Sequence, residues 1–265
     1  MIRRLGLALV LGLSACAGDG LQTVPSAEAA QIGATLFPAS GAANVNPDTH
    51  LVLSFASPPT VDETGKIRIY DAADNSLADE LDLAIPTSPN PSGRGAAQTA
   101  GQELPPGAVQ APVYQVTKVG GADYHFRPII VRDNKATIYP HNNALKYGRT
   151  YIVKLDGAVL KPATGAFPGV SDWKFSTKPA PPAATAKRVT VSADGKGDFS
   201  TLQAAIEFFP AKSDSRREIF IRNGNYEEII YFADRSNLTI RGESRDKTIV
   251  GYANNTPFAQ GAGKR

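Results

Sequence analysis

The chain has 265 residues, with 28 basic and 25 acidic side chains and a net charge of +3. That balance excludes the concentrated basic face a nucleic-acid binder needs, and the length allows one or two domains with a real apolar core. The 24 Gly and 20 Pro, with few long apolar periodic runs, favour strands and loops over helix bundles.

In chain order, Met1-Ile-Arg3-Arg4 is a basic start, Leu5 to Leu13 is a short apolar run, and Leu13-Ser14-Ala15-Cys16 follows. The run falls short of the about 20 residues a bilayer span takes, so residues 1–16 read as a cleaved signal. Small residues directly before a lone cysteine resemble the bacterial lipoprotein lipobox, in which Cys16 becomes the lipidated N-terminus. An ordinary signal peptide with an incidental cysteine is the alternative. The resemblance implies a lipid anchor and a mature chain with neither thiol nor disulfide. Ala17 in place of Asp after the cysteine resembles signals for the outer membrane, with the chain facing the periplasm or the cell surface. Residues 17–34 are small and polar without a usable period, as expected of a flexible tether.

From 35 to 178 the signal is period-2 alternation broken by turns. Leu51, Leu53 and Phe55 share one face of a strand. Ile67 with Ile69, Leu81 with Leu83 and Ile85, Tyr151 with Val153 and Leu155, and Trp173 with Phe175 repeat the pattern. Several short strands between turn signals predict a β-sandwich. Leu145-x-x-Gly148-x-x-Tyr151 and Trp173-Lys-Phe175 resemble bacterial Ig-like domains, with Tyr151 at an inter-sheet corner and Trp173 in the core. Pro86 to Pro112 is a long Pro/Gly/Ala/Ser loop, expected to be disordered. Residues 179–187 form a Pro/Ala-rich linker whose polyproline geometry would make a spacer of roughly 28 Å, at about 3.1 Å per residue.

Residues 188–265 read differently. Ser200-Thr-Leu-Gln203 forms a capping box, and Leu202, Ala205, Ile206 and Phe209 share a helical face that Pro210 ends. β-type triplets then start at Ile219, Ile229, Leu238 and Thr248, too close together for crossover helices. A helix capping the first coil of a parallel β-helix fits this order. The predicted class is all-β: an Ig-like β-sandwich followed by the truncated start of a right-handed parallel β-helix with one capping helix.

The segment from Val191, Val-x-x-Asp-Gly-x-Gly-Asp-Phe-x-Thr-Leu-Gln-x-Ala-Ile, together with Gly224-Asn-Tyr226-Glu-Glu228 and Asn237-Leu-x-Ile-x-Gly242, resembles the start of a pectinesterase catalytic domain. Gly224, Tyr226 and Glu228 match its Gly-x-Tyr-x-Glu signature. The resemblance implies methyl-ester hydrolysis on pectin or another polygalacturonate by an Asp nucleophile and an Asp general acid-base. Glutamines would stabilise the oxyanion, with no metal or organic cofactor. In the family those residues lie beyond this signature. None is therefore expected before Arg265, and a chain of this extent is expected to be inactive. A structural or cleft-edge role is expected for Tyr226 and Glu228, and Gly224 suits a turn needing positive φ.

Other constellations fail. Glu227, Glu228 and Asp234 are the carboxylates nearest the signature and read as turn caps or surface groups. His50, His125 and His141 lack metal-ligand spacing. No Gly-x-Ser-x-Gly elbow is present, and Asp71 to Asn75 reads as a turn, not a calcium loop. A second functional reading stays open: a non-catalytic surface lipoprotein whose Ig-like domain binds glycan or serves as a spacer.

Overall fold

A computed structural model describes residues 33–87 and 114–253. Cys16, nearly all of the tether, most of the 86–112 loop and residues 254–265 lie outside the described residues. Within them two separate apolar cores form.

The first core lies between two sheets. One runs in the order β1 (Ala34–Phe37), β3 (Leu51–Phe55), β10 (Lys135–Ile138), β9 (Ile129–Arg132), all antiparallel. The other runs β2 (Ala42–Val45), β13 (Val170–Thr177), β11 (Thr150–Leu155), β5 (Lys66–Asp71), β6 (Leu77–Asp82), with β2 and β13 parallel. Alternation does the sorting: Leu51, Leu53 and Phe55 are buried while Val52 and Ser54 are only partly so. Trp173 fills the centre and its indole N–H donates to Pro38 O at 2.8 Å. Tyr151 accepts the Lys146 N–H on its hydroxyl at 2.8 Å, which pins the preceding turn to β11.

The strand expected to run through Leu83 and Ile85 stops at Asp82 instead. Its Oδ1 accepts the Ala84 N–H at 3.0 Å and turns the chain. Asp71 and Asp74 cap a turn in the same way, accepting from Ala73 N and Ser76 N. Two small pairs flank the sandwich: β4 (Thr60–Val61) with β12 (Leu160–Lys161), and the hairpin of β7 (Val116–Val119) with β8 (Ala122–His125).

The second core belongs to a parallel coil. β14 (Arg188–Val191), β15 (Arg217–Ile221) and β17 (Leu238–Gly242) stack parallel and in register, as do β16 (Gly224–Glu227) and β18 (Thr248–Gly251). Val189, Ile219 and Ile240 thus form one column. The strand expected at Ile229 is displaced to Gly224–Glu227. Ile229 itself leaves the coil to pack against the sandwich core, so the repeat is the full coil and not the single strand.

Helix α1 (Leu202–Phe208) closes one end of this core with Leu202, Ala205 and Ile206. Its N-cap is Thr201, whose hydroxyl accepts the Ala204 N–H at 3.3 Å. The cap falls one residue later than the sequence predicts, and the Ser200 hydroxyl accepts from Asn46 Nδ2. The described part of the chain is nearly all β, with a partial β-helix. No helix among the described residues is long and apolar enough to cross a membrane.

Candidate functional site

Gly224, Tyr226 and Glu228 lie on or just after β16. Tyr226 is buried in the coil core, and its hydroxyl donates to Arg222 O at 2.9 Å. Glu228 is buried beneath α1. Its Oε1 accepts the Leu202 N–H at 2.8 Å and its Oε2 the Gln203 N–H at 2.9 Å, satisfying two of the free donors of the first turn. Burial, with some help from the Asp48 charge, pushes the Glu228 pKa up to about 7 against those two bonds. Gly224 does not have the positive φ expected of it. A Cβ there would come within 3.3 Å of the Tyr226 ring, so what the position needs is small size.

The Asp194-to-Asp198 segment is equally occupied with backbone. Asp194 Oδ1 accepts from Ser192 Oγ at 2.5 Å and Lys196 N at 3.0 Å, while Asp198 Oδ2 accepts from Thr190 N at 2.8 Å. Gly197 passes so close to β14 that a Cβ would sit 2.6 Å from Thr190 O. These residues fasten the opening loop of the coil along its first strand.

The residues on either side of 179–187 meet directly, where the sequence predicts a spacer holding them apart. Three groups of contacts make the joint. In the first, Asp48 Oδ2 accepts from Ser200 N at 2.8 Å, Thr201 N at 2.7 Å and Thr201 Oγ1 at 2.9 Å. Asn46 Nδ2 donates to Gly197 O and Ser200 Oγ, and Lys178 Nζ donates to Gly197 O at 2.8 Å. In the second, Glu207 on α1 accepts from Gly120 N, Asn142 Nδ2 and Asn143 Nδ2. Burial works against the Glu207 charge, but bonds from Asn143, Gln203 and Gly120 outweigh it and hold its pKa below the ordinary value. In the third, Glu227 pairs with Arg132 at 2.5 Å and the Tyr252 hydroxyl accepts the Arg127 N–H at 2.9 Å.

A cavity of about 80 Å³ lies in the joint, walled among others by Asp48, His50, His141, Gln203, Glu228 and Tyr252. His141 Nδ1 lies 2.6 Å from Asp79 Oδ1, and its Nε2 lies 3.3 Å from Gln115 Nε2. Both ring nitrogens of His141 are thus engaged within the joint. Burial lowers the His50 pKa to about 4, and its ring packs on Tyr139 at 4.3 Å. His125 packs edge-on against Tyr114 instead, and Asp234 sits in a bend at φ +53°. Among the described residues no cluster of His, Cys, Asp or Glu could hold a metal ion.

The geometry is therefore that of a fastening. Asp48 and Glu228 hold the N-terminal end of one helix from opposite sides of the joint. Sequence reasoning singles out Glu228, names Gln203 only as part of a capping box, and misses Asn46, Asp48 and Glu207. Their partners lie far along the chain or in the tertiary fold, and Pro47-Asp48-Thr49 by itself looks like any turn.

Residues 188–262 match the Pectinesterase family model. Among curated proteins, "Putative pectinesterase/pectinesterase inhibitor 45" of Arabidopsis thaliana is 42% identical over 62 residues, covering 23% of this chain and 10% of the relative. "Probable pectinesterase 30" of the same plant is 41% identical over 63 residues, covering 23% and 13%. The match thus spans only about a tenth of the length of these relatives. No solved structure matches the chain.

Proposed function

We propose that this chain is the N-terminal part of a surface-tethered, pectinesterase-like carbohydrate esterase that removes methyl esters from polygalacturonate. The observation that carries this reading is a coincidence of boundaries. The family match begins at Arg188, where the parallel coil begins, and it runs through both stacked coils. Lipidated Cys16 would anchor the protein to the outer membrane, and the sandwich would be the Ig-like module between anchor and coil.

In this reading Gly224, Tyr226 and Glu228 build the first coil, and the ester chemistry belongs to later coils of such a domain. The carboxylate of Glu228 supports that division, since both its oxygens are taken by helix N–H groups. Methanol release from methylated polygalacturonate tests it. The 265-residue chain is expected to release none above blank, and the product of the reading frame extended past codon 265 is expected to release it. Turnover by the 265-residue chain at the rate of an intact esterase would overturn the reading, as would an inert extended product.

A further inference from the structure

Helix α1 has seven residues, and isolated helices shorter than about 12–15 residues are marginal in water. Its persistence therefore depends on what fills its free N–H groups and what covers its sides. Part of that filling comes from outside the coil. Glu228 takes the N–H groups of Leu202 and Gln203, while Asp48, about 150 positions earlier in the chain, holds the N–H of the N-cap Thr201 and that of Ser200 just before the helix. The loop leading into α1 is held by Asn46 and Lys178, both on Gly197 O. The last turn of α1 presents Glu207 to three donors of the sandwich.

Shape agrees with polarity. Gly120, at the tip of the β7–β8 hairpin, lies so flat on Tyr231 that a Cβ there would fall 2.1 Å from the ring. Further along, Arg132 engages Glu227, the last residue of β16, and Arg127 engages Tyr252, just after β18. The sandwich thus touches the helix, the opening loop and both coils, although the buried Asn46 Oδ1 and Asp48 Oδ1 have no hydrogen-bond partner.

We propose that the sandwich is an obligate scaffold for the coil: an interaction surface whose partner is residues 192–252 of the same chain. It completes the cap of α1 and holds the opening loop, so the coil keeps its structure only while docked. The Pro/Ala-rich stretch then merely closes the chain between two surfaces that already fit. This assignment does not depend on the esterase reading, and it differs from an independent glycan-binding or spacer module, which would leave the coil unaffected.

The test uses the 265-residue chain. Its single Trp, Trp173, reports the sandwich core, and hydrogen exchange of the β14 and β15 amides reports the coil. In the unmodified chain both signals are expected to be lost at the same urea concentration. Asp48→Ala removes three bonds to one buried carboxyl oxygen and is expected to speed coil exchange about tenfold to a hundredfold, with a much smaller shift of the Trp173 midpoint. Glu207→Ala changes no sandwich residue and places a good helix former in α1, so it reads the joint even if Asp48→Ala unsettles the sandwich. Here about fivefold faster exchange is expected. Acceleration in either variant supports the scaffold. Coil exchange at the unmodified rate in both would overturn it, and so would a coil that opens well before the Trp173 transition in the unmodified chain.

Discussion

In the sandwich, Leu53, Val153 and Trp173 lie between two sheets with none of their surface exposed. In the coil, the stacked column of Val189, Ile219 and Ile240 is 1%, 0% and 40% exposed. Ile249 and Val250 on β18 are exposed as well. The difference lies in where each unit finds its second wall. A sandwich brings both walls with it, whereas a parallel coil buries each layer only against the next. Among the described residues the layer of β17 and β18 has none beyond it. The coil compensates at its other boundaries, with α1 closing one end and the sandwich lying along one flank.

The contrast breaks most visibly at Trp173. Trp173→Ala leaves a cavity between two rigid sheets and is expected to cost about 3–5 kcal/mol, read as a lowered urea midpoint by circular dichroism. Within the coil the same column offers a finer comparison. Ile219→Ala is expected to cost about 2–4 kcal/mol and Ile240→Ala less than about 1 kcal/mol, measured by exchange of the β15 amides. Equal losses at the two positions would mean that Ile240 is covered in solution.

The last comparison is one of pH, because shifts of both signs meet in the joint: burial raises Asp48 and Glu228 and lowers His50, while hydrogen bonds hold Glu207 low. Glu228, raised to about 7, adds stability fully present below its ordinary 4.5 and lost as the pH rises through about 7. His50, lowered to about 4, adds stability present above its ordinary 6.5 and lost as the pH falls through about 4. Set against the unmodified chain, Glu228→Gln should gain about 2 kcal/mol less on acidification across this range, and His50→Phe should lose about 2 kcal/mol less. Urea midpoints at pH 4.5 and 7 measure both differences, and two variants with the unmodified slope would remove these two groups as the source.

Much of the sandwich is legible because alternation and burial share a period. Leu51, Leu53 and Phe55 can be assigned to one face before any fold is known, and Trp173 to a core. The helix is legible for the same kind of reason, although its cap lies one residue later than predicted. The coil is half legible. Its strands show as apolar triplets, but Ile229 has the composition of a strand and the environment of a contact residue. Turn chemistry misleads at Gly224, where a crowded ring and not a positive φ asks for glycine. The joint leaves no local trace at all, since Asp48 and Thr201, or Gly120 and Tyr231, become neighbours only after both units have formed.

Gly120 sits at an exposed hairpin tip, the kind of position where surface chains usually drift freely. Its contact with the Tyr231 ring removes that freedom. A side chain at position 120 would collide with that ring, so glycine there is tied to an aromatic residue more than a hundred positions away. Exchanging the sandwich for that of a cousin would then carry over a lock without its key. The proline-rich stretch therefore joins two halves that fit only each other's surfaces.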